Sequence, residues 1–118
     1  MTTTAQRAAP TVGLRQMRED LGLSRERMAR LLSVSARSIE NWEREDRLPS
    51  DEAKRRLFST LAQIRELGLT VYTPAGFAKF LTTPLPVFEY QTALHEIELG
   101  RADRVLGELV ADYEGGGY

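Results

Sequence analysis

Few residues in this 118-residue chain are of a type that does covalent chemistry, and their spacing assigns them none. His95 is the single histidine, beside Glu96, and cysteine is absent. Disulfides and thiolate metal sites are therefore excluded, and a lone histidine without partners reads as a surface or capping residue. No glycine-rich phosphate loop precedes a helix, and no nucleophile–base pair can be drawn. Glu96 and Glu98 fall on different faces. The expectation is no catalytic residue, no metal and no cofactor. The basic residues are more informative. Within Arg15–Arg37 six arginines stand against three acids, a local charge that suits a polyanion such as DNA.

The formal net charge of -1 conceals a split. From Val12 to Leu67 there are 12 basic and 10 acidic residues; from Gly68 to Tyr118 there are 3 basic and 7 acidic. The chain is 42% hydrophobic and 28% charged, a globular balance. No apolar run approaches the ~18–20 residues that span a bilayer, and no secretory signal is evident. The expectation is a soluble, cytoplasmic protein.

The elements that must position these arginines are helical. Leu14, Met17 and Leu21 share one helix face over about Val12 to Asp20, and Gly22 ends that helix. A second helix over about Arg25 to Leu32 follows the N-cap Ser24 and buries Met28, Ala29, Leu31 and Leu32. After the turn Ser33-Val34, Ser35 caps a third helix that ends near Glu45. Ile39 and Trp42 pin it inward, leaving Ala36, Arg37, Ser38, Glu40, Asn41 and Arg44 outward. A fourth helix starts after Ser50, with Leu57, Phe58, Leu61 and Ile64 apolar, and is expected to stop at Gly68. Leu69–Tyr72 is β-prone and ambiguous. Thr73-Pro74 opens a helix to Leu81, and Thr82–Pro86 breaks it. Val87, Phe88 and Tyr90 read as loop residues with buried rings. Thr92 caps a helix to Leu99, Gly100 ends it, and a last helix covers about Ala102 to Tyr113. The fold class is all-α. The expected divisions are a flexible arm at 1–11, a first domain at 12–68, a second helical domain at 69–114 and a flexible tail at 115–118.

The stretch Leu21–Glu43, LGLSRERMARLLSVSARSIENWE, resembles the Xre/Cro-type helix-turn-helix of phage repressors and bacterial regulators. The resemblance covers about Val12 to Leu67 and includes the loop with Pro49 and the long fourth helix. The family often has glycine where Ser33 stands, and serine adopts a left-handed turn less easily. The resemblance implies that the third helix enters the major groove with its N-terminal residues on base edges. Arg37 would then pair with guanine O6 and N7, Asn41 with adenine, and Ala36 with a thymine methyl. Arg25, Ser35 and Arg44 would sit on phosphates. Glu43 is expected to be an internal salt-bridging residue, and Trp42 a core residue.

The second half resembles the toxin-binding domain of Xre-type antitoxins through Phe80-Leu81, the Pro84–Pro86 loop, Thr92-Ala93-Leu94, Gly100–Leu106 and Tyr113-Glu114-Gly115. Ala93 stands where that family usually has proline. The resemblance implies a toxin partner of the RES type, which consumes NAD, with the antitoxin's C-terminal end approaching its active-site cleft. Tyr113, Glu114, Gly115 and Gly116 are the residues that would do so. The expected function is an antitoxin that neutralises its toxin and represses its own operon, acting on operator DNA as a homodimer. A stand-alone repressor whose C-terminal helices only dimerise is the alternative, and an adaptor that no longer touches DNA is a third reading.

Overall fold

A computed structural model describes residues 12–115; the expected arm at 1–11 and tail residues 116–118 lie outside them. Among the described residues there are seven α-helices: α1 (Leu14–Asp20), α2 (Arg25–Leu32), α3 (Ala36–Glu45), α4 (Glu52–Val71), α5 (Pro74–Thr82), α6 (Ala93–Glu98) and α7 (Ala102–Gly115). A 3-10 turn at Pro86–Phe88 lies between α5 and α6.

Short polar side chains start most of these helices. Ser24, Ser35, Thr73 and Thr92 each accept a hydrogen bond from the backbone N–H three residues on, satisfying one of the free donors of a first turn. The cap of α4 is Asp51 rather than Ser50; its carboxylate accepts from the Lys54 N–H at 3.0 Å. The stops also share one geometry. Gly22, Ser33, Asp46 and Gly100 all have left-handed φ. The next N–H then reaches back five residues, as from Leu23 to the Arg18 carbonyl and from Val34 to the Ala29 carbonyl, both at 3.0 Å. Ser33 adopts the left-handed turn, at φ 59° and ψ 46°.

One apolar core runs through the molecule. Met17, Met28, Leu32 and Ile39 fill it beneath the first three helices, while Phe77, Leu81, Val105 and Leu109 fill it at the other end. Helix α4 belongs to both ends. It packs against α1 and α2 on one side and against α5 and, most extensively, α7 on the other. The expected stop at Gly68 and the ambiguous strand at 69–72 are therefore corrected: α4 continues to Val71, and the boundary drawn at 68/69 falls inside it. Gly68 is buried because a side chain there would occupy the space of the Phe77 ring. It permits the close approach of α5 and does not end the helix. Gly115, assigned to the tail, is the last residue of α7.

The segment between α5 and α6 is a closed loop. The Leu85 carbonyl accepts from the N–H groups of Phe88 and Tyr90, at 2.9 and 2.8 Å, and Leu85 and Gln91 form an isolated antiparallel bridge. Phe88 is buried as expected, with the Arg104 guanidinium 5.6 Å from its ring centroid. Tyr90 is not buried. It is 70% exposed, because two successive left-handed residues, Glu89 and Tyr90, turn its ring outward.

Candidate nucleic-acid interface

Helix α3 is held by its apolar side and by one carboxylate. Ile39 is fully buried and Trp42 packs against the core at partial exposure. The Glu43 side chain, only 3% exposed, accepts hydrogen bonds from Arg18 Nε at 2.6 Å and from Arg25 Nε at 3.0 Å. Arg18 also donates from Nη1 to the Leu23 carbonyl at 3.0 Å. One carboxylate thus ties α3 to α1 and α2, the internal role expected of it. Burial disfavours the charge on Glu43, but hydrogen bonds and positive charge from Arg18 and Arg25 outweigh it and hold the carboxyl below its ordinary value.

Of the six residues assigned to DNA, Ala36, Arg37, Asn41 and Arg44 lie on α3, Ser35 is its N-cap and Arg25 is on α2. Arg37 is exposed and, among the described residues, makes no hydrogen bond or ion pair, so its guanidinium fork is available to a ligand. Asn41 is half-buried, and its Oδ1 accepts from Arg44 Nη2 at 2.8 Å. Paired recognition of adenine uses that same oxygen, which keeps a second lone pair, and Arg44 fixes the orientation of the amide. Ser35 Oγ is the cap of α3, accepting from the Ser38 N–H at 3.0 Å, and lies 3.1 Å from Ser38 Oγ. Ala36 is half-buried against the core. Arg25 is partly committed to Glu43, with its side chain 41% exposed.

Beside these residues is a recess of about 250 Å³ lined by Arg15, Arg25, Glu40, Glu43 and Arg44. Three arginines against two glutamates make it only mildly electropositive. Arg44 and Arg47 are further paired with Glu45. The surface suits a reader that docks α3 by shape and a few directed contacts more than one that binds any polyanion strongly.

The second half has its own buried charge, which reading the sequence missed. Glu96 is fully buried and receives Arg101 Nε at 2.9 Å and Arg104 Nη1 at 2.9 Å. The hydrogen bond from Arg101 holds its carboxyl below the ordinary range against the opposing effect of burial. Arg104 also pairs with Glu89 at 3.0 Å and donates to the Val87 carbonyl at 2.8 Å. This triad locks the loop to α6 and α7. The signal was the run Arg101–Arg104 five and eight residues after Glu96, visible only once Gly100 is known to reverse the chain. Among the proposed partner contacts, Tyr113 is 56% exposed, Glu114 is exposed and Gly115 half-buried at the end of α7; Gly116 lies outside the described residues. Arg27 of α2 pairs with Glu98 of α6 at 2.7 Å, a direct link between the two halves.

Comparison with known proteins agrees with this geometry. Residues 14–62 match the helix-turn-helix family model, and they are the segment containing α1, α2, α3 and the first half of α4. No curated protein matches the chain by sequence. Among solved structures, a chain in the crystal structure of the M. tuberculosis MbcT-MbcA toxin-antitoxin complex is similar in fold, with a TM-score of 0.69 at 20% identity. The similarity covers 86% of this chain and 91% of that one, so it extends beyond the helix-turn-helix into α5–α7. Among the described residues, no helix is long and apolar enough to cross a membrane.

Proposed function

We propose that a chain whose residues 14–62 are a helix-turn-helix domain, and whose remaining helices continue the fold of a chain from a toxin–antitoxin complex, is itself an antitoxin. The carrying observation is the extent of that similarity: 86% of the chain cannot be covered by the DNA-reading segment alone. In this reading α3 contacts operator DNA, with Arg37 on a base, Arg25, Ser35 and Arg44 on phosphates, and Ala36 and Asn41 along the groove. The C-terminal half engages a toxin, with Tyr113, Glu114, Gly115 and Gly116 among its contacts. The toxin is of the RES type implied by the sequence resemblance. The protein acts in the cytoplasm as a regulator without catalytic activity of its own. A homodimer supplies the two α3 helices that a two-fold operator needs.

Two measurements test this. The first is binding to the DNA upstream of its own gene as a function of salt, where contact with Z phosphates gives a log–log slope of about -0.9Z. No binding at low salt ends the regulator reading. The second is the product of the adjacent gene, expressed alone and together with this chain. The expected result is toxicity alone, neutralisation on co-expression and a co-purifying complex. A harmless product that does not co-purify, with operator binding intact, leaves a stand-alone repressor.

A further inference from the structure

Away from the α3 face, a groove of about 670 Å³ lies between the end of α4, α5, the Pro84–Val87 loop and α7. Its apolar surface comes from Tyr72, Phe80, Leu85 and Val87. The Tyr72 and Phe80 rings stack with centroids 5.5 Å apart and planes at 27°, giving it a flat aromatic side. Val87 is 43% exposed.

Glu108 and Asp112, one turn apart on α7, bring two carboxylates to the same groove. Tyr72 Oη donates to Asp112 Oδ2 at 3.2 Å. Their surroundings differ from those of the three acids Glu89, Glu96 and Glu98. Glu89, Glu96 and Glu98 each have an arginine partner, which engages both Arg101 and Arg104. Among the described residues, neither Glu108 nor Asp112 has an ion-pair partner. Lys79 also lines the groove but is beyond ion-pair distance of both. Burial first, and then the neighbouring Asp112 charge, raises the Glu108 carboxyl above its ordinary value. A cation arriving between the two carboxylates relieves that repulsion, and an aliphatic stem or apolar neighbour covers the aromatic side.

We propose that this groove docks a segment of the toxin that presents an arginine or lysine next to an apolar side chain. The proposal rests on reading the C-terminal half as toxin-binding, and adds a second anchor to the contacts at the end of α7. The occupant follows from charge complementarity: an apolar cleft with two uncompensated carboxylates selects a cationic, partly apolar segment over an acidic one.

The experiment has two arms, both with the full-length chain. In the first, isotope-labelled protein is titrated with the blocked dipeptides acetyl-Leu-Arg-amide, acetyl-Leu-Gln-amide and acetyl-Leu-Glu-amide, and backbone amide shifts are followed. The arginine probe is expected to shift Tyr72, Phe80, Val87, Glu108 and Asp112 and to bind about threefold tighter than the glutamine probe, with the glutamate probe weakest. The double variant E108Q/D112N should erase that ranking while helical circular dichroism is unchanged. Equal binding of the three probes, or shifts confined to another face, overturns the proposal. In the second arm, the purified product of the adjacent gene is bound to wild type and to E108Q/D112N. The variant is expected to bind on the order of tenfold more weakly with operator binding unchanged. Equal binding by both proteins overturns the toxin as occupant, as does a variant altered only in self-association. Failure of the wild type to bind that product instead overturns the antitoxin reading itself, and the occupant with it.

Discussion

Arg37 and Gly68 show how much single positions decide. Arg37 is the one proposed base reader whose hydrogen-bonding groups are uncommitted, since Asn41 is held by Arg44. If Arg37 pairs with a guanine, Arg37→Ala costs about 1–3 kcal/mol of operator affinity and relaxes one base position. Gel-shift titration of a set of single-base operator variants checks this. A uniform loss over all sequences makes Arg37 a phosphate contact. At Gly68 the backbone leaves room for the Phe77 ring. Gly68→Ala gains ~1 kcal/mol in helix propensity, but the overpacking it forces, about 1–3 kcal/mol, outweighs that gain. Thermal melts should show a loss that Phe77→Leu partly restores. Gly107, where an added Cβ meets nothing within 4 Å, should respond to the same change with a rise in stability. Both residues are helical glycines, and the sequence pattern cannot separate them. The difference lies in Phe77, nine residues beyond Gly68 and on another helix.

Between helices, the connections depend on closures and on buried carboxylates. The helix-turn-helix was legible because its marks are local: Ser24 and Ser35 as caps, Ile39 and Trp42 at helical spacing, and polar residues between. Gly22 and Gly100 signalled their stops for the same reason. Ser33 and Asp46 close helices in the same left-handed conformation without glycine, so composition alone does not reveal that all four stops are alike. Glu43 was legible as an internal residue, but its partner Arg18 lies 25 residues away, and Arg101 and Arg104 meet Glu96 only because the chain reverses at Gly100. These clusters set the acid response. Glu43 and Glu96 are held below the ordinary 4.5. Their stabilisation is therefore fully present above about that pH and is lost as pH falls through the lowered folded values. Glu108, shifted upward, works in the opposite sense: protonation on acidification relieves its repulsion with Asp112 and offsets part of the loss. Urea midpoints should accordingly fall as the pH is lowered below about 4.5. Glu43→Gln should lower stability at pH 7 by about 1–2 kcal/mol and make the acid dependence shallower. An unchanged pH slope in that variant would remove Glu43 from the account.

For the whole molecule, the decisive fact is that α4 serves two sets of neighbours. The sequence pattern divides into two units, and the second, at 69–114, is too small to bury a sufficient core alone. The structure resolves this by sharing a 20-residue helix between them and by the Arg27–Glu98 ion pair. A chain ending at residue 67 therefore uncovers the side of α4 that packs on α7. It should unfold with lower cooperativity and bind a hydrophobic dye. A truncation that melts as sharply, and at the same temperature, as the full chain would show that the first helices are self-sufficient. Point changes such as E108Q/D112N are thus cleaner tests of partner binding than deletion.

The same shared helix bears on how such a protein diversifies. A recombination event that exchanged the second half between two related genes would leave α4 facing a surface it did not adapt to. Crossovers that keep α4 with both of its neighbours are the ones that leave a stable product. Choice of DNA site and choice of protein partner would then descend together as one inherited block, changing by point substitution on exposed faces and not by exchange of parts.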